Sequence, residues 1–124
     1  MWQHDLMRWG TFSEPEQDAM IGRWRSDNEE LDDVPPSAHV KRTAQESFDP
    51  EAWILRRSLP WTGPHGEGPM FVAFGKTLDA FEVQQLRRMA GEEDGVVDAC
   101  FRFSRPLSGG YYWCPPIDGD RIAL

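Results

Sequence analysis

Apolar and polar residues alternate weakly from Met1 to Trp9, which predicts a short first strand running into a turn at Gly10-Thr11. Ser13-Glu14-Pro15-Glu16 then carries the marks of a helix start: a hydroxyl at the N-cap, a carboxylate three residues on, and a proline in the first turn, where an N–H is not needed. Gly22 is the predicted stop. Arg23 to Pro36 is charged and ends in Pro35-Pro36, so it reads as an extended connection over the surface. Val40 to Ala44 and Trp53 to Leu59 have strand character and are expected to pair as a hairpin across the polar link Gln45 to Pro50. After a breaker-rich loop from Thr62 to Pro69, Met70-Phe71-Val72-Ala73-Phe74 is an unbroken apolar run, the pattern of a central strand buried on both faces. From Thr77 onward Leu78, Phe81, Leu86 and Met89 recur at helical spacing, with Arg87 and Arg88 near the end and Gly91 after it. This predicts a second helix lying on the sheet. Gly95 to Phe103 has room for another helical turn, and Ser108-Gly109-Gly110-Tyr111-Tyr112-Trp113 leads into a last strand closed by Pro115-Pro116.

Strand, helix, two or three strands, helix and strand is the order of an α+β sandwich of ferredoxin-like type, with helices on one face of a mainly antiparallel sheet. At 124 residues the chain holds one core and no second domain. Its net charge of −8, from 21 acidic against 13 basic residues, repels phosphate backbones and anionic head groups, which excludes nucleic acid and membrane surfaces as expected partners. No apolar run approaches the ~20 residues that cross a bilayer, and the first residues lack the basic and apolar regions of a signal peptide. A cytoplasmic location is expected. Cys100 and Cys114 show no Cys-x-x-Cys spacing, and both are expected to be buried, reduced thiols. The six tryptophans supply large rigid surface, suited to a Trp-rich core or to a cofactor pocket.

Two residues stand out chemically. His39, in Ser37-Ala38-His39-Val40, offers an imidazole able to ligate iron, and Arg56, in Ile54-Leu55-Arg56-Arg57-Ser58-Leu59-Pro60, offers a permanent positive charge able to polarise a peroxide. Ser58 points to the same side of a strand as Arg56, and Arg57 to the other. His4-Asp5 is no metal pair, because neighbours on a strand face opposite sides. His65 sits in the Gly/Pro loop, either exposed or shaping access to a pocket.

The motifs Ser37-Ala38-His39-Val40-Lys41-Arg42 and Ile54-Leu55-Arg56-Arg57-Ser58-Leu59-Pro60 do not stand alone. They are preceded by Trp2-Gln3-His4-Asp5-Leu6 and Ile21-Gly22-Arg23, and followed by Met70 to Phe74 and Phe103-Ser104-Arg105-Pro106-Leu107-Ser108-Gly109. In this order they resemble the C-terminal half of dye-decolourising (DyP-type) haem peroxidases. The resemblance implies one half of a two-part ferredoxin-like, dimeric α+β barrel fold, with residues 1–124 as the haem-binding half and the N-terminal half absent from this chain. It implies haem b as cofactor, His39 as the proximal iron ligand, Arg56 as the distal arginine and Ser58 as a further pocket residue. Asp98 is the expected acid partner of His39, or else a helix-surface residue. Arg23 suits a haem propionate or a surface ion pair. The family's distal aspartate stands in a Gly-x-x-Asp-Gly motif of the N-terminal half; Gly91-Glu92-Glu93-Asp94-Gly95 has the same letters in the wrong place, so Asp94 is not expected to be that acid.

The expected function is therefore a haem peroxidase that reduces hydrogen peroxide while oxidising dye-like or small aromatic reductants. The alternative is a non-catalytic haem-binding or assembly half-domain. A sheet covered on one face only implies a homo-oligomer, or association with the N-terminal half.

Overall fold

A computed structural model describes residues 1–122 of the chain. Strand β1 (Trp2–His4) is shorter than the alternation implied, because Asp5 accepts the Arg8 N–H at 2.9 Å and caps a one-turn helix, α1 (Leu6–Trp9). Helix α2 (Glu14–Ile21) begins and ends where its chemistry dictates. The Ser13 backbone N–H and hydroxyl both donate to the Glu16 carboxylate at 2.8 Å, and these bonds hold the Glu16 carboxyl below its ordinary pKa. Gly22 closes the helix in the left-handed region at φ 90°. Residues 24–30 are exposed, as expected of the charged connection, which is pinned by one bridge between Arg23 and Glu30.

The expected strand from Val40 to Ala44 is instead a short helix, α3 (His39–Arg42). Its turn closes through Arg42 N–H to Ala38 O and Thr43 N–H to His39 O, both at 3.0 Å, and its β-branched Val40 lies against Gly22 at the end of α2, a tertiary contact of the kind that overrides strand propensity. The hairpin therefore forms elsewhere. β2 (Leu55–Gly63) pairs antiparallel with β3 (Gly66–Phe74), in a register that sets Leu55 opposite Phe74 and Gly63 opposite Gly66. The glycines read as loop breakers thus lie within the strands. Their role is close approach: a side chain at Gly66 would run into Gln3, and one at Gly68 into the Trp2 carbonyl. Bonds from Trp61 Nε1 to Trp2 O at 2.9 Å and from Gln3 Nε2 to His65 O at 2.7 Å lay the hairpin against β1.

The second helix is wound as π-helical turns over Ala80–Leu86 that tighten into α4 (Arg87–Ala90), ended by Gly91 at φ 78°. Phe81 stacks on Phe71 of β3 at 5.7 Å between ring centroids. A 3₁₀ turn, Ala99–Arg102, precedes β4 (Ser104–Pro106), which pairs with β1. The last strand expected at Tyr111-Tyr112-Trp113 is absent; those residues are exposed, and β5 (Ile117–Asp118) and β6 (Arg121–Ile122) form a small hairpin after them.

Antiparallel strands with helices make the chain α+β, as expected. Among the described residues the strands form three two-stranded sheets. Met20, Ala99 and Phe103 make a small core, with Trp9, Phe12, Ile21 and Cys100 packed around it. A Trp-rich core is not what forms, since Trp24, Trp53 and Trp113 are exposed. Nor is the run Met70 to Phe74 buried on both faces: Met70 and Phe74 are exposed, and Phe71, Val72 and Ala73 are half-buried. Both cysteines are free thiols, but Cys114 is exposed, on the segment that failed to become a strand.

Candidate functional site

Helix α3 opens on His39, directly after the fully buried Ala38. Its segment runs against the one that approaches the 3₁₀ turn, where the Ala99 N–H donates to Ser37 O at 2.8 Å. Two residues further along one segment and one residue back along the other, His39 Nδ1 meets Asp98 Oδ2 at 2.8 Å. Asp98 is buried, with a side-chain exposure of 0% against 37% for His39. It is therefore not a helix-surface residue. Its second oxygen caps the 3₁₀ turn by accepting the Cys100 N–H at 2.8 Å, so the whole carboxylate is satisfied by donors. An ionised carboxylate only accepts, so Nδ1 is the ring nitrogen that donates to Asp98, and Nε2 is the nitrogen left outside this bond.

Cys100 lies beside this pair. Ligand atoms of His39, Asp98 and Cys100 all fall within 4.8 Å of one another. Burial first, and then the charge of Asp98, push the Cys100 thiol well above its ordinary pKa, so it stays a neutral S–H. The hydrogen bonds already made account for this cluster without an ion.

Arg56 stands on β2, half-buried, and its Nη1 donates to Thr43 O at 3.3 Å. Thr43 ends α3, and its hydroxyl donates back to His39 O at 2.9 Å. The guanidinium is thus tied to the C-terminal end of the helix that begins with His39, where a cation is favoured. Ser58 shares the Arg56 face of the hairpin, opposite Phe71, and is exposed; Arg57 is exposed on the other face. Arg23 is not directed to this cluster: it donates to Glu30 Oε2 at 3.0 Å and to Asn28 O at 2.9 Å, a surface ion pair. His65 is exposed in the β2–β3 turn. His4 and Asp5 part ways, His4 to Ser104 Oγ at 2.9 Å and Asp5 to its helix cap. Desolvation lowers the His4 pKa.

One pair was not singled out by sequence. Arg42 is buried at 5% exposure, and its guanidinium takes both oxygens of Asp94, at 2.8 and 3.0 Å. Asp94 also accepts the Val96 N–H at 2.9 Å, and its pKa falls to about 2, with the Arg42 hydrogen bond as the largest cause. The signal was present in part: Asp94-Gly95 is a turn in which a carboxylate bonds the backbone two residues on.

The family described as Dyp-type peroxidase, C-terminal, matches residues 1–119. A dye-decolorizing peroxidase of Mycobacterium tuberculosis is 34% identical over 121 residues, which cover 93% of this chain and 36% of that protein. One from Mycolicibacterium paratuberculosis is 33% identical, over 93% of this chain and 34% of that protein. The chain thus spans about a third of the length of these curated relatives. Among solved structures, a dye-decolorizing protein from V. cholerae superposes with a TM-score of 0.76 at 32% identity, covering 85% of this chain and 36% of the other. A DypB variant from Rhodococcus jostii RHA1 in complex with heme gives a TM-score of 0.73 at 33% identity, covering 83% and 35%. The α+β fold is that of these proteins, consistent with a ferredoxin-like half. The chain belongs to the Dyp-type peroxidase family and matches its C-terminal region.

Proposed function

We propose that this chain is the haem-ligating part of a peroxidase that reduces hydrogen peroxide at the expense of a small organic reductant. The observation that carries the reading is the 2.8 Å bond from His39 Nδ1 to the buried Asp98, which leaves Nε2 as the remaining ring nitrogen on a side chain 37% exposed. That donor set fits haem b, whose iron His39 would hold through its remaining ring nitrogen. When bound, haem supplies the redox chemistry of peroxide reduction. Asp98 fixes the tautomer and orientation of His39 and makes the imidazole more basic, as partners behind metal-ligating histidines do. Arg56 contributes a charge that cannot be lost near neutral pH, suited to stabilising negative charge as the O–O bond of peroxide breaks. Ser58, on the same strand face, is a further pocket donor, and Arg23 keeps to its ion pair with Glu30. The proton-shuttling carboxylate of the distal side comes, in this reading, from an N-terminal half outside residues 1–124. Among the described residues no helix is long and apolar enough to cross a membrane. Two free thiols suit the reducing cytoplasm, where we place the protein.

Titration of the chain with haemin tests the assignment. A Soret band and charge-transfer features of a histidine-ligated ferric haem are expected, and His39→Ala should abolish them with the fold retained. Unchanged spectra in the variant would remove His39 as ligand. Peroxide-dependent dye bleaching above that of free haemin supports the enzyme; haem bound through His39 without such bleaching favours the non-catalytic half-domain.

A further inference from the structure

A helix of four residues cannot hold its own orientation in water, since forming the first turn costs more than its hydrogen bonds return. The direction of His39 must therefore be set by what anchors α3 to the rest of the molecule. The contacts between its segment and the one leading to the 3₁₀ turn form an antiparallel series. Ser37 meets Ala99 at 2.8 Å, His39 meets Asp98 at 2.8 Å, and Arg42 meets Asp94 at 2.8 and 3.0 Å. Arg42 lies three residues after His39, on the same side of a helical turn. Its guanidinium also donates through Nε and Nη2 to the carbonyl of Arg88, at the C-terminal end of α4. Four hydrogen bonds thus leave one planar fork, which is itself almost wholly out of solvent.

We propose that Arg42 and Asp94 act as a positioning pair for His39, a clamp that fixes α3 against the segment carrying Asp98 and so keeps the imidazole aligned with its carboxylate. This deepens the reading of His39 as haem ligand and rests on it for its importance. A bidentate Arg–carboxylate pair suits the task because it resists rotation as well as separation. The same two segments would otherwise be joined by one imidazole bond and one backbone bond. Neither Arg42 nor Asp94 touches reacting atoms in this account.

The test uses the cofactor-free chain, so that its outcome does not depend on haem binding. The Nδ1–H of His39, donated to Asp98, is followed by NMR, with the indole N–H of Trp61, donated to Trp2 O at 2.9 Å, as an internal control in the hairpin. Asp94 is 47% exposed on its side chain, so Asp94→Asn removes the charge without leaving a buried hole. Exchange of the His39 proton with solvent is expected to accelerate about tenfold or more, the scale of losing a charge-assisted hydrogen bond, while Trp61 is unaffected. Arg42→Lys, which keeps the charge and loses the fork, should do the same. Asp94→Glu, which keeps the carboxylate, should restore much of the protection. In the haem-loaded protein the iron–histidine stretch should broaden in Asp94→Asn. Equal acceleration at His39 and Trp61 would mean general destabilisation and overturn the proposal, as would an unchanged His39 proton. Failure of haem to bind with the NMR result intact would leave the clamp standing and count against the proposed function instead.

Discussion

Asp98 shows how one side chain can serve structure and chemistry at once. One oxygen caps a 3₁₀ turn and the other accepts a hydrogen bond from His39 Nδ1, and a carboxylate with 0% side-chain exposure is tolerable because both bonds are made. Arg56 is less constrained, with a single long bond of 3.3 Å to Thr43 O. A donor held so loosely can turn toward a ligand at little cost, so in the proposed function its contribution would fall in the transition state more than in haem binding. Arg56→Leu in haem-loaded, peroxide-consuming protein should leave the Soret band in place and slow peroxide cleavage by about 10²–10³, the usual consequence of losing one such donor. Stopped-flow rates equal to the parent's would take Arg56 out of the mechanism.

At the scale of elements, α3 depends on its neighbours, and one of them is the end of α2. Gly22 adopts φ 90°, and a side chain there would run into Val40 Cγ2 and press on Ala38, the residues on either side of His39. Gly22→Ala should therefore destabilise the chain by about 1–3 kcal/mol from the left-handed backbone alone, with the contact adding to it. Urea unfolding gives the loss. Haemin affinity should fall in parallel, because the displaced atoms belong to α3; a stability loss with unchanged affinity would show that α2 does not help to place His39.

At the scale of the whole molecule, one face of the main hairpin is left uncovered among the described residues. The register sets Leu55 opposite Phe74 and Leu59 opposite Met70 on one side of β2–β3, and all four are exposed, between 39% and 54%. Burying such side chains is worth up to about 1.5–3 kcal/mol each, a large share of the ~5–15 kcal/mol that holds a domain together. A second copy meeting this face about a two-fold axis covers four residues on each side with one contact, the simplest closed solution. Light scattering at micromolar concentration should report a dimer or larger species, and a fluorescent hydrophobic dye should compete with it. A monodisperse monomer that binds no dye would refute this.

Local chemistry was legible in the sequence. The Ser13 and Glu16 pairing and the stops at Gly22 and Gly91 rest on residue types at short spacing, which physics reads the same way in any context, whereas His39, Asp98 and Arg56 became candidates through the family resemblance. What needed the tertiary structure was everything decided at long range. Asp98 meets His39 across 59 positions and Asp94 meets Arg42 across 52, so neither the burial of Asp98 nor the use of Asp94 as a clamp could be read from its neighbours in the chain. The segment from Val40 to Ala44 has strand composition yet forms a helical turn, in which the buried Arg42 guanidinium finds Asp94 and the Arg88 carbonyl. Gly66 and Gly68 look like loop breakers yet sit in a strand, because β1 passes too close for side chains. Propensity proposes a conformation residue by residue; packing and the satisfaction of buried charge choose among the proposals.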